Sequence, residues 1–270
     1  MNVHTAPRPD IAARRFTLAT DLDGTFLGGT DAARARLYEW IETNRDSIGL
    51  IFVTGRDPDF IMQMCREQGL PWPEYVVGDV GTTIAKVRAD GQVDPIPALE
   101  ADIANRWADQ GAAVRAALSN AAGLTLQPTE FRYRVSYDLA RDAYDHAAQR
   151  KVEDMGLDWL ISDDRFFDVL PKGVSKGPSI KRLISHLRIP PARVLCAGDT
   201  MNDLSMLISG LNAVAVGNSE PALVQKIDDC STVYHATAHG AAGIMEAINA
   251  LNLHEAPTSA ALKPATPEGA

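Results

Sequence analysis

Little in this 270-residue chain would staple it covalently, hold it in a bilayer or fix it to a polyanion. Its three cysteines, Cys65, Cys196 and Cys230, are odd in number and lack CxxC spacing. That argues against a disulfide framework or a thiolate zinc site and fits a reducing cytosol, so a cytoplasmic location is expected. Positive charge is the minority sign, with 26 Lys and Arg against 35 Asp and Glu and a formal net charge of −9. This argues against a broad electrostatic grip on nucleic acid or anionic membrane, although it leaves room for a small basic pocket. No uncharged apolar stretch approaches the roughly 18 residues of a membrane span. The first fifteen residues carry Arg8, Arg14 and Arg15 with Pro7 and Pro9 but no apolar core, so neither a signal peptide nor a membrane span is expected. No internal repeat of fixed period is visible. Among the histidines only His235 and His239 share a helical metal spacing, across a glycine-flanked loop, and they are read as structural.

What is present is material for a core, at 46% hydrophobic residues. Residues 1–14 are polar and proline-containing and read as a flexible arm. The apolar run Phe16, Leu18, Ala19 reads as a buried strand ending at Thr20-Asp21-Leu22-Asp23-Gly24-Thr25. Thr30-Asp31 can cap a helix to about Asn44. The consecutive apolar residues Leu50–Val53 then read as a strand covered on both faces, ending in Thr54-Gly55-Arg56. Asp57-Pro58 opens the next helix, and a strand over 75–77 follows. This β-α-β-α-β order predicts an α/β fold with a Rossmann-like, doubly wound parallel sheet. From about residue 83 the texture changes. A hairpin around Asp90-Gly91, a helix over 99–120, strands at 124–126 and 131–137, a helix over 141–155 and strands at 159–162 and 166–170 predict an inserted α+β domain. The α/β rhythm returns at Gly173 and runs to a last helix at 241–251. The expected division is a core of 15–84 and 172–253, an insert of 85–171, and a disordered tail of 254–270 rich in Ala, Pro and Thr. Trp107, Trp159, Met62, Met64 and Met206 read as core packing.

The hexapeptide after the first strand sets two carboxylates beside a turn at the carboxyl edge of a sheet, where open α/β sheets bind ligands. By itself it fits an acidic turn that caps a helix or faces water as well as it fits a catalytic pair. Parallel packing, however, would bring Asp21 and Asp23, Thr54, Lys176, and Asp199 with Asn202 and Asp203 to one edge. Phosphoryl transfer needs a nucleophile, a cation, donors around the phosphoryl oxygens and a proton for the leaving alkoxide. This set supplies each: Asp21 as nucleophile, Asp23 as acid and base, Asp21 and Asp199 as Mg²⁺ ligands, and Thr54, Lys176 and the amides of the Asp21–Asp23 turn around the phosphate. Plainer readings remain beside these. Asp199 can cap the helix near Asn202, Asp203 can favour that helix's positive end or orient Lys176, and Arg56 can be a surface charge.

Asp21-Leu22-Asp23-Gly24-Thr25, Val53-Thr54-Gly55-Arg56, Ser175-Lys176-Gly177 and Gly198-Asp199-Thr200-Met201-Asn202-Asp203 resemble motifs I to IV of the haloacid dehalogenase superfamily of phosphatases. The insert resembles a C2B-type cap. Gly78-Asp79-Val80-Gly81, Asp168-Val169-Leu170-Pro171 and His239-Gly240-Ala241-Ala242-Gly243-Ile244 are similar to the sucrose-phosphate phosphatases and their relatives that act on mannosylfructose phosphate. The resemblance implies a Mg²⁺-dependent phosphoric monoester hydrolase releasing a free disaccharide, best matched by sucrose 6-phosphate as substrate. Mannosylfructose phosphate, glucosylglycerol phosphate, a phosphomutase or an idle sugar-phosphate-binding subunit are its alternatives. It implies a metal set of Asp21, Asp23, Asp199 and Asp203. Leu22, Thr54, Gly55, Arg56, Lys176 and Asn202 would lie on phosphate or substrate, with Lys172 in reach of the sugar. The expected partners are a small sugar phosphate and a sugar-phosphate synthase, for a protein acting as a monomer.

Overall fold

The structure, a computed structural model, describes residues 8–255. Two sheets organise them. The larger has eight strands in the order β12-β11-β10-β1-β2-β3-β4-β5, and the smaller has four in the order β6-β7-β9-β8. In the larger sheet β1 (Phe16–Thr20), β2 (Ile48–Val53), β3 (Tyr75–Gly78), β10 (Val194–Gly198), β11 (Asn212–Ala215) and β12 (Val233–His235) run parallel. Every residue of β1, β2 and β10 is buried, as an apolar run between two helix layers requires. Side chains alternate between the layers. Phe16, Leu18, Leu50 and Phe52 meet α1 (Asp31–Thr43), α2 (Pro58–Gln68) and α9 (Gly240–Ala250). Ala19, Ile51 and Val53 meet α6 (Lys176–His186), α7 (Leu204–Leu207) and α8 (Pro221–Ile227). The helix starts follow the capping chemistry: Thr30 accepts from the Ala33 amide, and Asp57 accepts from the Phe60 amide with Pro58 at the first helical position.

β4 (Thr83–Val87) and β5 (Val93–Pro95) form the expected hairpin, but they extend the core sheet as antiparallel strands beside β3 instead of opening the insert. A hairpin signal fixes the turn and not the neighbour, and the open edge of β3 supplies one. The cap sheet is β6 (Leu124–Leu126), β7 (Val135–Leu139), β8 (Asp158–Ser162) and β9 (Phe166–Leu170), all antiparallel. The helix expected over 99–120 is two, α3 (Pro97–Trp107) and α4 (Gly111–Ala117), broken where Ala108 and Asp109 take φ of 51° and 53°. The break lets Trp107, Val114 and Leu118 all face Phe167 and Val169. The strand expected from Phe131 begins only at Val135. The helix expected over 141–155 is α5 (Ala147–Asp154) preceded by a single 3₁₀ turn.

Of the expected arm, residues 1–7 lie outside the described residues; Ile11 and Arg14 are buried, with Arg14 Nη1 2.6 Å from Glu74. Of the expected tail, 256–270 lie outside. His254 is buried against the Phe16 and Trp40 rings, and Trp40 Nε1 donates to the Glu255 carbonyl at 2.9 Å. The three cysteines are free, and no helix of the described residues is long and apolar enough to cross a membrane.

Candidate active site

β10, β1 and β2 lie side by side, with Thr20 in register with Ala197 and with Phe52. Asp199, Asp21 and Thr54 therefore emerge at one sheet edge, one from each strand end. Lys176, at the first turn of α6, reaches into that edge. Its Nζ donates to Asp21 Oδ1 at 2.7 Å, Asp203 Oδ1 at 2.7 Å and Asn202 Oδ1 at 2.5 Å, and it is wholly buried. Oxygens of Asp21, Asp199 and Asp203 all lie within 4.8 Å of one another. Three carboxylates facing one ammonium leave a local excess of negative charge, and the donors are hard oxygens, so a divalent Mg²⁺ fits the residues present. Asp203 is already committed. Its second oxygen accepts from the Asp199 and Thr200 amides at 3.0 and 3.1 Å, which suits it to hold Lys176 and the loop.

The turn after Asp21 is shaped to admit Asp199. Gly24 has φ of +75°, and a Cβ there would lie 2.0 Å from Asp199 Oδ2. Only glycine satisfies both conditions. Thr25 Oγ1 donates to Asp199 Oδ1 at 2.7 Å, and Asn218 Nδ2 ties the Gly24 carbonyl at 3.0 Å to Asp199 Oδ2 at 3.4 Å. Burial pushes the Asp199 carboxyl up to about 7 despite the Thr25 hydrogen bond, and the Asp203 charge adds to the rise. Asp21 is likewise raised, by burial first and then by Asp203 and Asp199, with Lys176 opposing. Burial alone would push Lys176 down. The Asp203 and Asp21 carboxylates outweigh it, and the ammonium is held charged.

The Asp23 side chain stays out of the carboxylate cluster. It is exposed and gripped by Arg56, whose Nε and Nη2 reach its two oxygens at 2.7 and 2.9 Å, and Arg56 in turn lies over Phe60. Leu22 is wholly buried, its side chain packed in the hydrophobic core, and it does not line the cavity. Thr54 Oγ1 accepts from the Arg56 amide at 3.3 Å, closing the turn that carries Gly55. Lys172 lies outside this group: it is exposed and bound to Asp158 at 2.6 Å.

Above the edge opens a cavity of about 520 Å³, walled below by Asp21, Asp23, Thr54 and Asp199 and above by the cap. The cap contributes Gln127, Arg134, Ser136, Ser162, Asp163 and Asp168, together with the Phe166 ring. Of these only Asp168 stands in a motif singled out from the sequence. Ser136 and Asp168 are on paired positions of β7 and β9 and hydrogen-bond to each other, a juxtaposition that needs the register. Asn218 sits on the loop after β11 with no local signal.

The family described as sucrose-6F-phosphate phosphohydrolase matches residues 14–252. Over 231 residues the chain is 39% identical to glucosylglycerol-phosphate synthase of Pseudomonas anguilliseptica, covering 85% of this chain but 30% of that protein. It is 30% identical to mannosylfructose-phosphate phosphatase of Agrobacterium fabrum, covering 86% of this chain and 94% of the relative. Among solved structures, the sucrose-phosphatase from Synechocystis, in complex with sucrose and phosphate, superposes with a TM-score of 0.79 at 26% identity, covering 88% of this chain and 98% of that one.

Proposed function

The chain belongs to the sucrose-6F-phosphate phosphohydrolase family of the haloacid dehalogenase phosphatases, and from that membership we propose that it hydrolyses a phosphorylated disaccharide or related glycoside, sucrose 6-phosphate first. One observation carries the reading: Asp21 lies in a buried carboxylate group around Lys176, directly beneath a cavity roofed by the insert. An Asp21 oxygen attacks phosphorus, and the bond from phosphorus to the sugar oxygen breaks. Asp23 gives its proton to that oxygen and the sugar leaves. Asp23, now a carboxylate, takes a proton from water. The water oxygen attacks the phosphoaspartate, and phosphate departs from Asp21. Thr54, Lys176 and the amides of the Asp21–Asp23 turn hold the phosphoryl oxygens meanwhile. Bound Mg²⁺, with Asp21 and Asp199 as its protein ligands, supplies the remaining positive charge. Arg56 holds Asp23 in the substrate-free protein and must release it to the leaving oxygen.

The 39%-identical segment of glucosylglycerol-phosphate synthase favours a second reading, in which the ester is glucosylglycerol phosphate. The test of both is phosphate release from sucrose 6-phosphate, mannosylfructose phosphate, glucosylglycerol phosphate, trehalose 6-phosphate and hexose phosphates, with Mg²⁺ and with chelator. A Mg²⁺-dependent preference for one glycosyl ester is expected. Binding of these esters without phosphate release would make the chain a sugar-phosphate-binding subunit, the role that intact Asp21 and Asp23 argue against.

A further inference from the structure

Arg134, immediately before β7, is 7% exposed and lies over the Phe131 ring at 3.6 Å from its centroid. It belongs to the cap, yet its Nη2 donates at 3.2 Å to the carbonyl of Gly55, next to Thr54 on the core. Its Nη1 lies 3.5 Å from Asp168 of the cap, and its Nη2 lies 3.8 Å from Asp79 of the core. The two core loops it meets are themselves joined: the Val80 amide donates to the Thr54 carbonyl at 3.1 Å and the Asp79 amide to the Arg56 carbonyl at 3.0 Å. Asp79 and Val80 hold φ of 52° and 59°, and in a β-branched residue such as Val80 that conformation persists only where the surroundings impose it.

Packing alone does not account for this side chain. Arg134 Nε and Asp79 Oδ1 are both buried without a hydrogen-bond partner, a costly way to fill space that an apolar side chain would fill freely. What a planar fork adds is simultaneous reach: toward the strand that lines the cavity above, and to the loop that carries Thr54 below. Asp168, its partner in the cap, shares the cavity wall with Ser136.

We infer that Arg134 is a positioning residue that fixes the cap, and with it the sugar of the substrate, in register with the Thr54–Gly55 phosphate loop. The inference rests on the phosphatase reading. A sugar ester must be held by cap and core at once, so loss of the strut displaces the ester bond from Asp21. p-Nitrophenyl phosphate offers the cap no polyol and leaves without much help, so its turnover depends on core groups.

Arg134→Met and Asp79→Asn, separately and together, are assayed with Mg²⁺ on the preferred sugar phosphate and on p-nitrophenyl phosphate, with circular dichroism as a control on folding. For Arg134→Met, kcat/KM on the sugar ester is expected to fall on the order of 30-fold, mostly in kcat, against about threefold or less on p-nitrophenyl phosphate. Asp79→Asn keeps the size and a carbonyl oxygen for Thr83 Oγ1, which donates to Asp79 Oδ2 at 2.6 Å, and is expected to show a smaller selective loss that disappears in the Arg134→Met background. Equal losses on both esters, or additive losses in the double variant, overturn the positioning role. A parent enzyme that releases phosphate from neither ester overturns the phosphatase reading itself. Should Arg134→Met fail to fold, the ester selectivity of Asp79→Asn decides alone: a selective loss supports the role and an unselective one ends it.

Discussion

The lower and upper walls of the cavity are made in different ways. Below, Asp21, Thr54 and Asp199 are buried over Lys176 and Asp203, with Lys176 bonded to the Asp21 and Asp203 carboxylates and the Asp199 carboxylate to Thr25, and of the four carboxylates there only Asp23 is exposed. Above, Ser136, Ser162 and Asp168 are buried, but Gln127 and Phe166 are half-buried and Asp163 is exposed. Asp21, Thr54 and Asp199 hang from three adjacent parallel strands, so sheet register sets their spacing and a shift in one disturbs the others. Cap residues Gln127, Ser162 and Asp163 lie at strand ends and turns, where substitution costs the fold little. On the proposed reading, such a division would let the chemistry stay constant while the sugar changes.

Disabling one lower-wall group should therefore cost far more than altering any upper-wall residue. Asp21→Asn should lower kcat on every ester on the order of 10⁴-fold or more while the protein remains folded; retained phosphate release would reject the covalent route. Asp23→Asn should cost about 10²–10⁴-fold on sugar esters and distinctly less on p-nitrophenyl phosphate, whose leaving group needs no proton. Equal losses would remove Asp23 from the acid role. Gly24→Ala forces a methyl onto the Asp199 carboxylate at a positive φ. A stability loss of about 1–3 kcal/mol is expected, along with weaker Mg²⁺ dependence, measured by denaturant titration and by activity against Mg²⁺ concentration.

The subtlest break concerns pH. Because Asp199 is held up to about 7 in the fold against an ordinary value of 3.8, the folded protein binds the proton more tightly than the unfolded chain does. In chelator its contribution to stability must then fall as pH rises between those two values. Mg²⁺ bound to the ionised carboxylates reverses this, so the Mg²⁺-induced rise in Tm should be larger at about pH 8 than at about pH 5. Asp199→Asn should flatten the difference, and a larger shift at the acid end would contradict the assignment.

The same contrast explains what could be read in advance. Leu50–Val53 and Val194–Gly198 are buried on both faces, so apolar runs ending in Thr54 and Asp199 announced both the strands and their edge. Parallel order did the rest, gathering Asp21, Lys176, Asp199, Asn202 and Asp203 from distant segments. Cap residues carry no comparable mark. Ser162 and Asp163 end β8 and follow it, where polar side chains usually mean solvent, and Arg134 resembles a surface arginine until Phe131, Gly55 and Asp168 surround it. Helical periodicity runs through Ala108-Asp109 unbroken, so the reversal that seats Val114 on the cap sheet is a tertiary choice. Lys172 neighbours Lys176 in sequence, but its side chain is taken by Asp158.

The seating of His254 and Glu255 beside Phe16 and Trp40 has a practical corollary. Glu255 also pairs with Arg15, at the amino end of β1, whereas Asp21 follows its carboxyl end. Five residues of extended chain, roughly 16 Å, separate the two ends of that strand. A fusion made directly at Glu255 would thus be attached at the end of β1 opposite Asp21.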